Sequence, residues 1–424
     1  MSAIPAGYKQ TEVGVIPADW EVSSLTRVAD VRGGIAKNSN VAISDPISVH
    51  YLRVANVQDG FLDLADMSEI EISRQDLKRY SVLPGDVLMN EGGDLDKLGR
   101  GAIWKGEVSP CVHQNHVFVV RCKSQLLPQY LDVWTGTQPA RRFFLLAGKQ
   151  TTNLASISKS SLGELPVALP PLPEQRAIAA ALSDVDALLA KLDQLIAKKR
   201  DLKQAAMQQL LTGQTRLPGF SGEWGVKRLG DLFKFSGGYS ASRDQLSTEG
   251  HCYLHYGDIH GSSKTTIDTR ADYQDIPKLD IPLKRISPNS LLADGDVVFV
   301  DASEDDEGTS KHVVVANKDG RPFISGLHTI VAKARTPELA HEYLRYCFQT
   351  AAIRQQFMFY AVGTKVSGIS KTNIVKLTLP VPPVPEQTAI ATVLSDMDAE
   401  LAALEARRDK TRALKQGMMQ ELLT

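Results

Sequence analysis

The sequence has 424 residues, with 48 basic and 49 acidic side chains, a formal net charge of −1 and 43% hydrophobic residues. This length is enough for two to three domains, and the composition excludes collagen-like, disordered and membrane-spanning proteins. The near-neutral charge also excludes a strongly basic nucleic-acid-binding domain, so any DNA binding must come from a local basic face or from partner proteins.

The cysteines indicate the compartment. Cys111, Cys122, Cys252 and Cys347 are scattered along the chain and form no CxxC pair, which argues against the disulfide framework of a small secreted protein. The first residues also lack the basic-then-apolar profile of a secretory signal. We therefore expect a cytoplasmic protein with no membrane association.

The first globular part, residues 1–168, has the pattern of a mixed α/β domain, because short β-rich runs are separated by turn residues. The pair Gly33-Gly34 follows a strand-like segment and predicts a turn that carries a polar loop. The predicted elements are strands at residues 50–54, 86–89 and 117–120 and a helix at residues 128–137.

A long helix is predicted in the segment 169–213. Its prolines end the preceding chain and suit the first turn of a helix, and Glu174 places a negative charge where the helix dipole favours it. Apolar residues then recur at alternating steps of four and three, which is the 3.5-residue period of a coiled-coil seam. The seam positions are Ile178, Leu182, Val185, Leu189, Leu192 and Ile196.

The second half of the chain repeats this order. Residues 214–380 form a second mixed α/β domain with its own glycine pair, Gly237-Gly238, and residues 381–424 form a second long helix. The predicted elements are strands at residues 296–300, 312–316 and 329–332, a helix at residues 337–359, and seam positions Ile390, Leu394, Met397, Leu401 and Leu404.

The two helical segments are copies of each other. Residues 169–212 align with residues 381–424 without a gap at an offset of 212, and 26 of the 44 positions are identical. The duplication extends backward more faintly, for example from Trp20 to Trp224. The chain is therefore a repeat of globular part and helix, in which the helices keep a common function and the globular parts have diverged.

The helices define the expected fold. At about 1.5 Å per residue, a helix over residues 174–212 is about 58 Å long and holds the globular parts apart. The second helix can bury its seam against the first only by running back antiparallel. The predicted fold class is α+β, with two mixed α/β domains separated by two long antiparallel coiled-coil helices with pseudo-two-fold symmetry. The alternative is that each helix packs on its own domain.

No catalytic motif is visible, since the sequence lacks a P-loop, GxGxxG, HExxH and GxSxG. Two groups of histidine and cysteine could hold a metal, but the first-half equivalent of one of them, around His50, keeps the strand without the added histidines. We therefore favour polar surface or base-reading roles over metal binding. The groups are His251, Cys252, His255 and His260, and Cys111, His113 and His116.

Several motifs together indicate a family. They are Gly14-Val15-Ile16-Pro17-x-x-Trp20, Leu83-Pro84-Gly85-Asp86-Val87-Leu88, the helix starts PPLPEQRAIAAAL and PPVPEQTAIATVL, and the helix ends LKQAAMQQLLT and LKQGMMQELLT. In combination they resemble the specificity (S) subunit of type I restriction–modification systems, and the resemblance covers the whole chain. It implies that residues 1–168 and 214–380 are target-recognition domains and that residues 169–213 and 381–424 are conserved spacer helices.

The resemblance also implies partners and cofactors. Each target-recognition domain would read one half of a bipartite, asymmetric site in double-stranded DNA. Two modification (M) subunits would dock on the helices, bind S-adenosylmethionine and flip out the adenine to be methylated. Restriction (R) subunits would add ATP- and Mg²⁺-dependent translocation and cleavage. The S subunit itself would be non-catalytic and bind no cofactor or metal.

Candidate DNA-reading groups are polar and basic side chains predicted on variable loops, since Arg and Lys reach phosphates or guanine and Asn and Gln match adenine. For any one of them, an ordinary exposed polar side chain is the alternative. The set is Lys37, Asn38, Lys97, Arg100, Gln114, Asn115, Arg141, Arg142, Lys149, Thr151, Asn153, Tyr239, Arg243, Lys264, Lys311, His312, Lys365 and Ser367.

Candidate partner-docking residues lie at the duplicated starts and ends of the helices, because two copies of one partner require the same surface twice. The alternative for these residues is packing at the helix start and along the seam. The set is Pro173, Glu174, Gln175, Lys203, Gln204 and Met207, with the equivalents Pro385, Glu386, Gln387, Lys415, Gln416 and Met419.

Two other functions stay open at this point. The chain could be the specificity subunit of a related stand-alone methyltransferase system that has no restriction partners. It could also be a two-headed scaffold that holds ligands other than DNA, an alternative that the modest charge allows.

Overall fold

The computed structural model describes residues 4–36, 43, 45–93, 98–99, 101–150, 155–262, 264–303, 310–363 and 367–423. The chain divides into two compact units. Unit 1 comprises residues 1–193 and 406–424, and unit 2 comprises residues 194–405. Among the described residues, no helix has both the length and the apolar character to span a membrane.

The first half of the chain contains fourteen described strands and six described helices. The strands are β1 (Tyr8–Thr11), β2 (Gly14–Pro17), β3 (Glu21–Ser24), β4 (Ala29–Arg32), β5 (Ile47–Leu52), β6 (Ser68–Ile72), β7 (Val87–Asn90), β8 (Gly92–Gly93), β9 (Gly101–Ile103), β10 (Cys111–His113), β11 (Val117–Cys122), β12 (Lys149–Gln150), β13 (Ala155–Ser156) and β14 (Pro166–Leu169). The helices are α1 (Leu25–Val28), α2 (Arg74–Tyr80), α3 (Pro128–Thr135), α4 (Gln138–Ala147), α5 (Lys159–Gly163) and α6 (Leu172–Leu210).

The second half contains twelve described strands and six described helices. The strands are β15 (Gly225–Arg228), β16 (Phe233–Gly237), β17 (His251–Leu254), β18 (Thr266–Asp268), β19 (Lys278–Leu279), β20 (Val297–Val300), β21 (Ala302–Ser303), β22 (His312–Ala316), β23 (Phe323–Ser325), β24 (Thr329–Ala334), β25 (Ser367–Gly368) and β26 (Thr378–Val381). The helices are α7 (Leu229–Leu232), α8 (Tyr256–His260), α9 (His341–Cys347), α10 (Ala351–Tyr360), α11 (Lys371–Ile374) and α12 (Val384–Leu422).

The head of unit 1, residues 4–169, is built on a four-stranded antiparallel sheet in the order β4-β11-β7-β9. Alternate side chains of β11 enter different cores: Phe118 packs with helix α3, whereas Val117 and Val119 pack with Trp104 on the other face. Because both faces are covered, the strand is a continuous apolar run. A second sheet, β10-β5-β6, pairs β10 parallel to β5.

The head of unit 2, residues 225–381, repeats this strand order and adds one strand, β18, which pairs parallel to β22. Its main sheet is β16-β24-β20-β22-β18, and its second sheet, β19-β17-β23, again has a parallel pair, β17 with β23. Val297 and Phe299 of β20 face the helices, and Val298 and Val300 enter the opposite core. The two heads therefore keep one fold although their sequences have diverged.

The second glycine of each predicted pair is required by a close backbone contact. A Cβ atom on Gly34 would lie 2.2 Å from the His113 carbonyl oxygen, and one on Gly238 would lie 1.8 Å from that of Gly326. The next residue in each head then donates its N–H to the neighbouring sheet, Tyr239 to the Ser325 carbonyl at 2.7 Å, for example. Only glycine lets the chain pass this close.

The two long predicted helices are confirmed as α6 and α12, each of 39 residues. Within unit 1, Asp186 of α6 contacts Lys415 of α12 at 2.6 Å, and Asp193 contacts Arg408 at 3.7 Å. Within unit 2, Lys199 contacts Glu400 at 2.6 Å and Lys203 contacts Asp398. Higher α6 numbers face lower α12 numbers, so the helix segments are antiparallel in each unit, as predicted.

The ends of the helices, however, pack against the heads. Ile178 and Leu182 at the start of α6 belong to the core of the unit 1 head, which also contains Leu423 just after α12. In unit 2, Ile390 and Leu394 at the start of α12 share a core with Leu211 just after α6. Each long helix therefore has stretches that pair with the other helix and stretches that pack against a head.

The predicted strands are confirmed as β5, β7, β11, β20, β22 and β24, with shifts of a few residues at their ends. The helix predicted at residues 337–359 is divided into α9 and α10. The division lies at Thr350, whose hydroxyl caps α10 by accepting the N–H of Ile353 at 3.3 Å. A side chain that satisfies the first free N–H groups begins a new helix.

Candidate functional site

The start of α6 is tied to its own head by a buried glutamine. Gln175 is 1% exposed, and its amide oxygen accepts the backbone N–H of Leu127 at 2.9 Å. Its amide nitrogen donates to the carbonyls of Gln125 and Pro170, each at 2.9 Å. One side chain therefore satisfies three backbone groups and sets the position of the helix against α3.

The start of α12 repeats this arrangement in unit 2. Gln387 is fully buried and accepts the N–H of Ala340 at 2.9 Å. It donates to the carbonyls of Glu338 and Pro382 at 2.7 and 2.8 Å. The three bonds match those of Gln175 one by one, so the duplicated PEQ motif performs the same packing role twice.

A tryptophan–glutamate bond accompanies each glutamine. The indole N–H of Trp20 donates to Glu174 at 3.1 Å, and that of Trp224 donates to Glu386 at 3.0 Å. Glu386 is also held by the Arg216 guanidinium at 2.6 Å. Because a buried carboxylate needs such partners, Glu386 is committed to unit 2 itself.

This burial corrects the docking prediction for Gln175, Glu386 and Gln387. Their polar atoms face their own heads and are not available to a partner. For these three residues, the packing alternative is the one that the structure supports.

The two lysines of the predicted docking set form equivalent ion pairs. Lys203 pairs with Asp398 in unit 2, and Lys415 pairs with Asp186 in unit 1 at 2.6 Å. The two pairs are related by the offset of 212. They join α6 to α12 within each unit, as expected for residues that pack along the seam between the two helices.

The methionines of the predicted docking set also face inward. Met207 is 6% exposed in the core of unit 2, and Met419 packs against the core of unit 1. The remaining members lie at the surface, where docking stays a prediction. They are Pro173, Glu174, Gln204, Pro385 and Gln416.

The first group of candidate DNA-reading residues follows strand β10. Gln114 is half-buried, and its N–H is bonded to the Leu52 carbonyl at 2.8 Å. The Asn115 amide lies 3.2 Å from the ring of His116, which in turn contacts Glu91 at 2.7 Å. Asn115 therefore belongs to a polar surface network beside the main sheet.

The second group lies on and after α4. Arg142 and Lys149 are exposed, and Arg141 is held loosely by Asp59 at 3.5 Å. Three cations thus lie within nine positions of the chain, in a head with diverged loops. Such side chains can reach phosphates.

Two cations of unit 2 are already paired with carboxylates. Arg243 contacts Asp258 at 3.2 Å, and Lys264 contacts Asp272 at 2.5 Å. Both side chains remain more than half exposed. A DNA phosphate would therefore compete with these carboxylates.

The other described candidates of unit 2 are less exposed. Tyr239 is half-buried against the second sheet. The Lys311 ammonium donates to the carbonyl of His260 at 2.5 Å. The backbone of Ser367 lies in β25, which pairs with β21.

His312 is not on a loop, which corrects the predicted placement. It lies in β22, 7% exposed, with its ring against Phe299 and Phe348 and one ring nitrogen 3.3 Å from the Leu344 carbonyl. Burial lowers its pKa to about 4, so the ring is neutral at pH 7. The alternation of β22 turns this side chain inward to the helices.

Seven candidates lie outside the described residues, and their roles stay predictions. They are Lys37, Asn38, Lys97, Arg100, Thr151, Asn153 and Lys365.

The histidine and cysteine groups are dispersed by the fold. His255 caps α8 by accepting the N–H of Gly257 at 3.1 Å, while Cys252 is buried in the core. His113 is buried with its pKa lowered to about 4, and His116 is exposed. Within the described ranges, no three His, Cys, Asp or Glu side chains are grouped so as to hold a metal ion.

The packing role of the duplicated PEQ motif was not predicted, although one signal for it is visible in the sequence. Trp20 and Trp224 recur together with the duplicated PEQ motif, and a tryptophan that is retained with a glutamate suggests a bond between them.

The sequence matches the model of a known protein family twice. The model of the type I restriction modification DNA specificity domain matches residues 17–198 and again residues 221–412. The chain is 24% identical over 431 residues to a protein of Methanocaldococcus jannaschii named as the MjaX type I restriction enzyme specificity subunit, which covers 98% of this chain and 96% of that protein.

Two solved structures share the fold. The S subunit of a type I restriction–modification system from M. genitalium matches with a TM-score of 0.53 and 13% identity, over 96% of each chain. A chain from a structure of type I system assembly and conformational transition matches with a TM-score of 0.59 and 16% identity, over 96% of this chain and 98% of that one.

Proposed function

Because this chain belongs to the family of type I restriction–modification specificity subunits, we propose that it recognises a bipartite, asymmetric DNA site with one head for each half-site. In this proposal it docks two M subunits for adenine methylation and works with R subunits for cleavage. The chain itself performs no chemistry.

The observation that carries the proposal is that the two heads have one topology but different loops and surface charges. The four strands β4-β11-β7-β9 of the first main sheet correspond to β16-β24-β20-β22 of the second. These exposed cations are placed differently: Arg142 lies on α4 and Lys149 follows it, whereas Arg243 and Lys264 flank β17 and α8. One scaffold with two different polar surfaces suits an asymmetric DNA sequence.

Docking of two identical partners is supported by matched apolar exposure on the two long helices. Leu202 of α6 is 47% exposed, and its equivalent, Leu414 of α12, is 59% exposed. Each lies two residues before an exposed glutamine, Gln204 or Gln416. Two equivalent surfaces of this kind fit two copies of one partner.

The proposal assigns the cofactors to the partners. S-adenosylmethionine belongs to the M subunits, and ATP with Mg²⁺ belongs to the R subunits, while this chain binds none of them. The partners also supply phosphate contacts that a chain of net charge −1 lacks. We place the complex in the cytoplasm, where its DNA substrate is.

The recognition role is tested by sequencing the methylome of a host that carries this gene and its M gene, with and without this gene. Loss of one bipartite adenine-methylation motif on deletion is the expected result. Exchange of the first head should then change one half of the motif only. A change in both halves would contradict one head for each half-site.

The DNA contacts of the first head are tested with an Arg142→Ala, Lys149→Ala double variant in the assembled methyltransferase. We expect about a 10-fold loss of affinity and a shallower salt dependence, because two phosphate contacts are removed. Lys78→Ala, an exposed lysine on α2, is the control and should leave affinity unchanged. Equal losses in both variants would indicate a non-specific charge effect.

The docking surfaces are tested with Leu414→Asp and Leu202→Asp, counted by native mass spectrometry. Each single variant should retain one M subunit, and the double variant should retain none. Two bound M subunits in the double variant would exclude these surfaces.

A further inference from the structure

Unit 1 contains an open groove of about 600 Å³ between its head and α6. Its lining is mixed. Apolar groups include Phe61, which is 60% exposed, and Val133, while the charged groups include Asp132 and Asp186. All of the lining residues belong to unit 1.

The equivalent place in unit 2 is occupied by a side chain of the protein itself. The N–H groups of Leu127 and Ala340 make the same bond to Gln175 and Gln387, which aligns α3 with α9 at an offset of 213. Val133 then corresponds to Tyr346.

The Tyr346 hydroxyl fills this place by donating to Asp398 at 2.8 Å. Asp398 also binds Lys203, whose ammonium lies 5.9 Å from the centre of the Tyr346 ring. Arg345 lies over the same ring at 5.3 Å. In unit 2, the Asp398 carboxylate therefore binds a phenol and a lysine, and an arginine lies beside them.

Unit 1 has the opposite balance of groups. Asp186, the equivalent of Asp398, has its lysine, Lys415, but valine replaces the phenol and Asp132 replaces the arginine. Burial and the nearby Asp186 raise the pKa of Asp132 to about 6. Glu107 and Lys105 also line the groove, so three carboxylates face two lysines there, and the groove has room for another side chain.

We propose that this groove receives a lysine or arginine side chain, carried on an apolar segment of the M subunit that docks on unit 1. The inference rests on the proposed function. The cation would supply the charge that Arg345 supplies in unit 2, and its aliphatic stem would lie against Phe61 and Val133. The M subunit on unit 2 would lack this anchor, because Tyr346 closes the equivalent place.

The test measures binding of the cognate M subunit to the full chain that carries Leu202→Asp, so that only the unit 1 surface is open. Asp132→Asn should weaken binding about 10-fold, and Asp132→Arg by more, with a shallower salt dependence in both. Val133→Tyr should weaken binding by filling the groove. Asp132→Asn removes a poorly solvated charge and keeps the shape, so it tests the groove even if Val133→Tyr fails to fold.

The matched control is Tyr346→Val, which changes the equivalent place in unit 2 and should leave binding at unit 1 unchanged. If M binds and Leu414→Asp abolishes binding, but the Asp132 variants do not weaken it, the groove assignment is wrong and the proposed function stands. If the M subunit binds neither the wild-type chain nor any variant, the proposed function fails and the groove assignment fails with it.

Discussion

At the scale of single residues, the same sequence motif has both structural and surface members. In the PEQ motif of α6, Pro173 is exposed, while Gln175 is buried and satisfies three backbone groups. Identity between the two copies therefore reflects internal packing at some positions and leaves others free for a partner. Burial separates the two cases, which residue type alone does not.

Gln387→Leu should lower the free energy of unfolding of unit 2 by about 2–4 kcal/mol, because it leaves one N–H and two carbonyls unpaired in the interior. Gln204→Leu makes the same chemical change at an exposed site and should change stability by less than about 0.5 kcal/mol. Chemical denaturation followed by hydrogen exchange in each unit measures both. Equal effects would show that the buried bonds contribute nothing specific.

His312 gives unit 2 a defined pH dependence. Its pKa in the folded state is about 4, below the ordinary 6.5, so below pH 6.5 the unfolded state binds more protons and stability falls as the pH is lowered towards 4. Between pH 7 and pH 5, this histidine should cost unit 2 about 2 kcal/mol. His312→Gln should reduce that slope in thermal unfolding, and an unchanged slope would mean that other groups carry it.

At the scale of elements, α6 and α12 each serve both units. The start of each helix packs on the head that precedes it, and the residues at its end pack in the core of the other unit: Leu211 in unit 2 and Leu423 in unit 1. A deletion of the C-terminal helix would therefore damage the core of unit 1 as well as the proposed docking surface. Point substitutions are needed to separate these effects.

Leu423→Ala should destabilise unit 1, and Leu211→Ala should destabilise unit 2, each by about 2–4 kcal/mol, because each leaves a cavity in a packed core. Hydrogen exchange by mass spectrometry assigns the effect to a unit. The equivalent exposed residues offer matched controls: Leu414→Ala and Leu202→Ala should change stability little. An effect of Leu423→Ala on unit 2 alone would contradict the packing described.

At the scale of the whole molecule, the two copies of the long helix have stayed similar, whereas the two heads have diverged. The helices retain the same ion pair and glutamine bonds in both copies, whereas the heads retain only topology and core. Because the net charge is −1, we expect the chain to gain much of its attraction for phosphates from the proposed partners.

The isolated chain should therefore bind duplex DNA weakly and with little sequence preference at physiological salt. Addition of the M subunit should tighten binding to a site that contains both half-sites by about 10³-fold or more, with a steeper dependence on salt. Fluorescence anisotropy over a salt series measures both. Tight, specific binding by the isolated chain would contradict the expected dependence of DNA binding on the M subunit.

The sequence by itself determined the repeat, the two long helices and the principal strands. Prolines, heptads and continuous apolar runs are local signals, and the local backbone obeys them. The tertiary structure decided which polar residues are available. His312 and Gln387 became interior groups, and Val133 and Tyr346 became opposite versions of one site. These outcomes depend on contacts between residues tens to hundreds of positions apart, and no local pattern encodes which side chains will meet there.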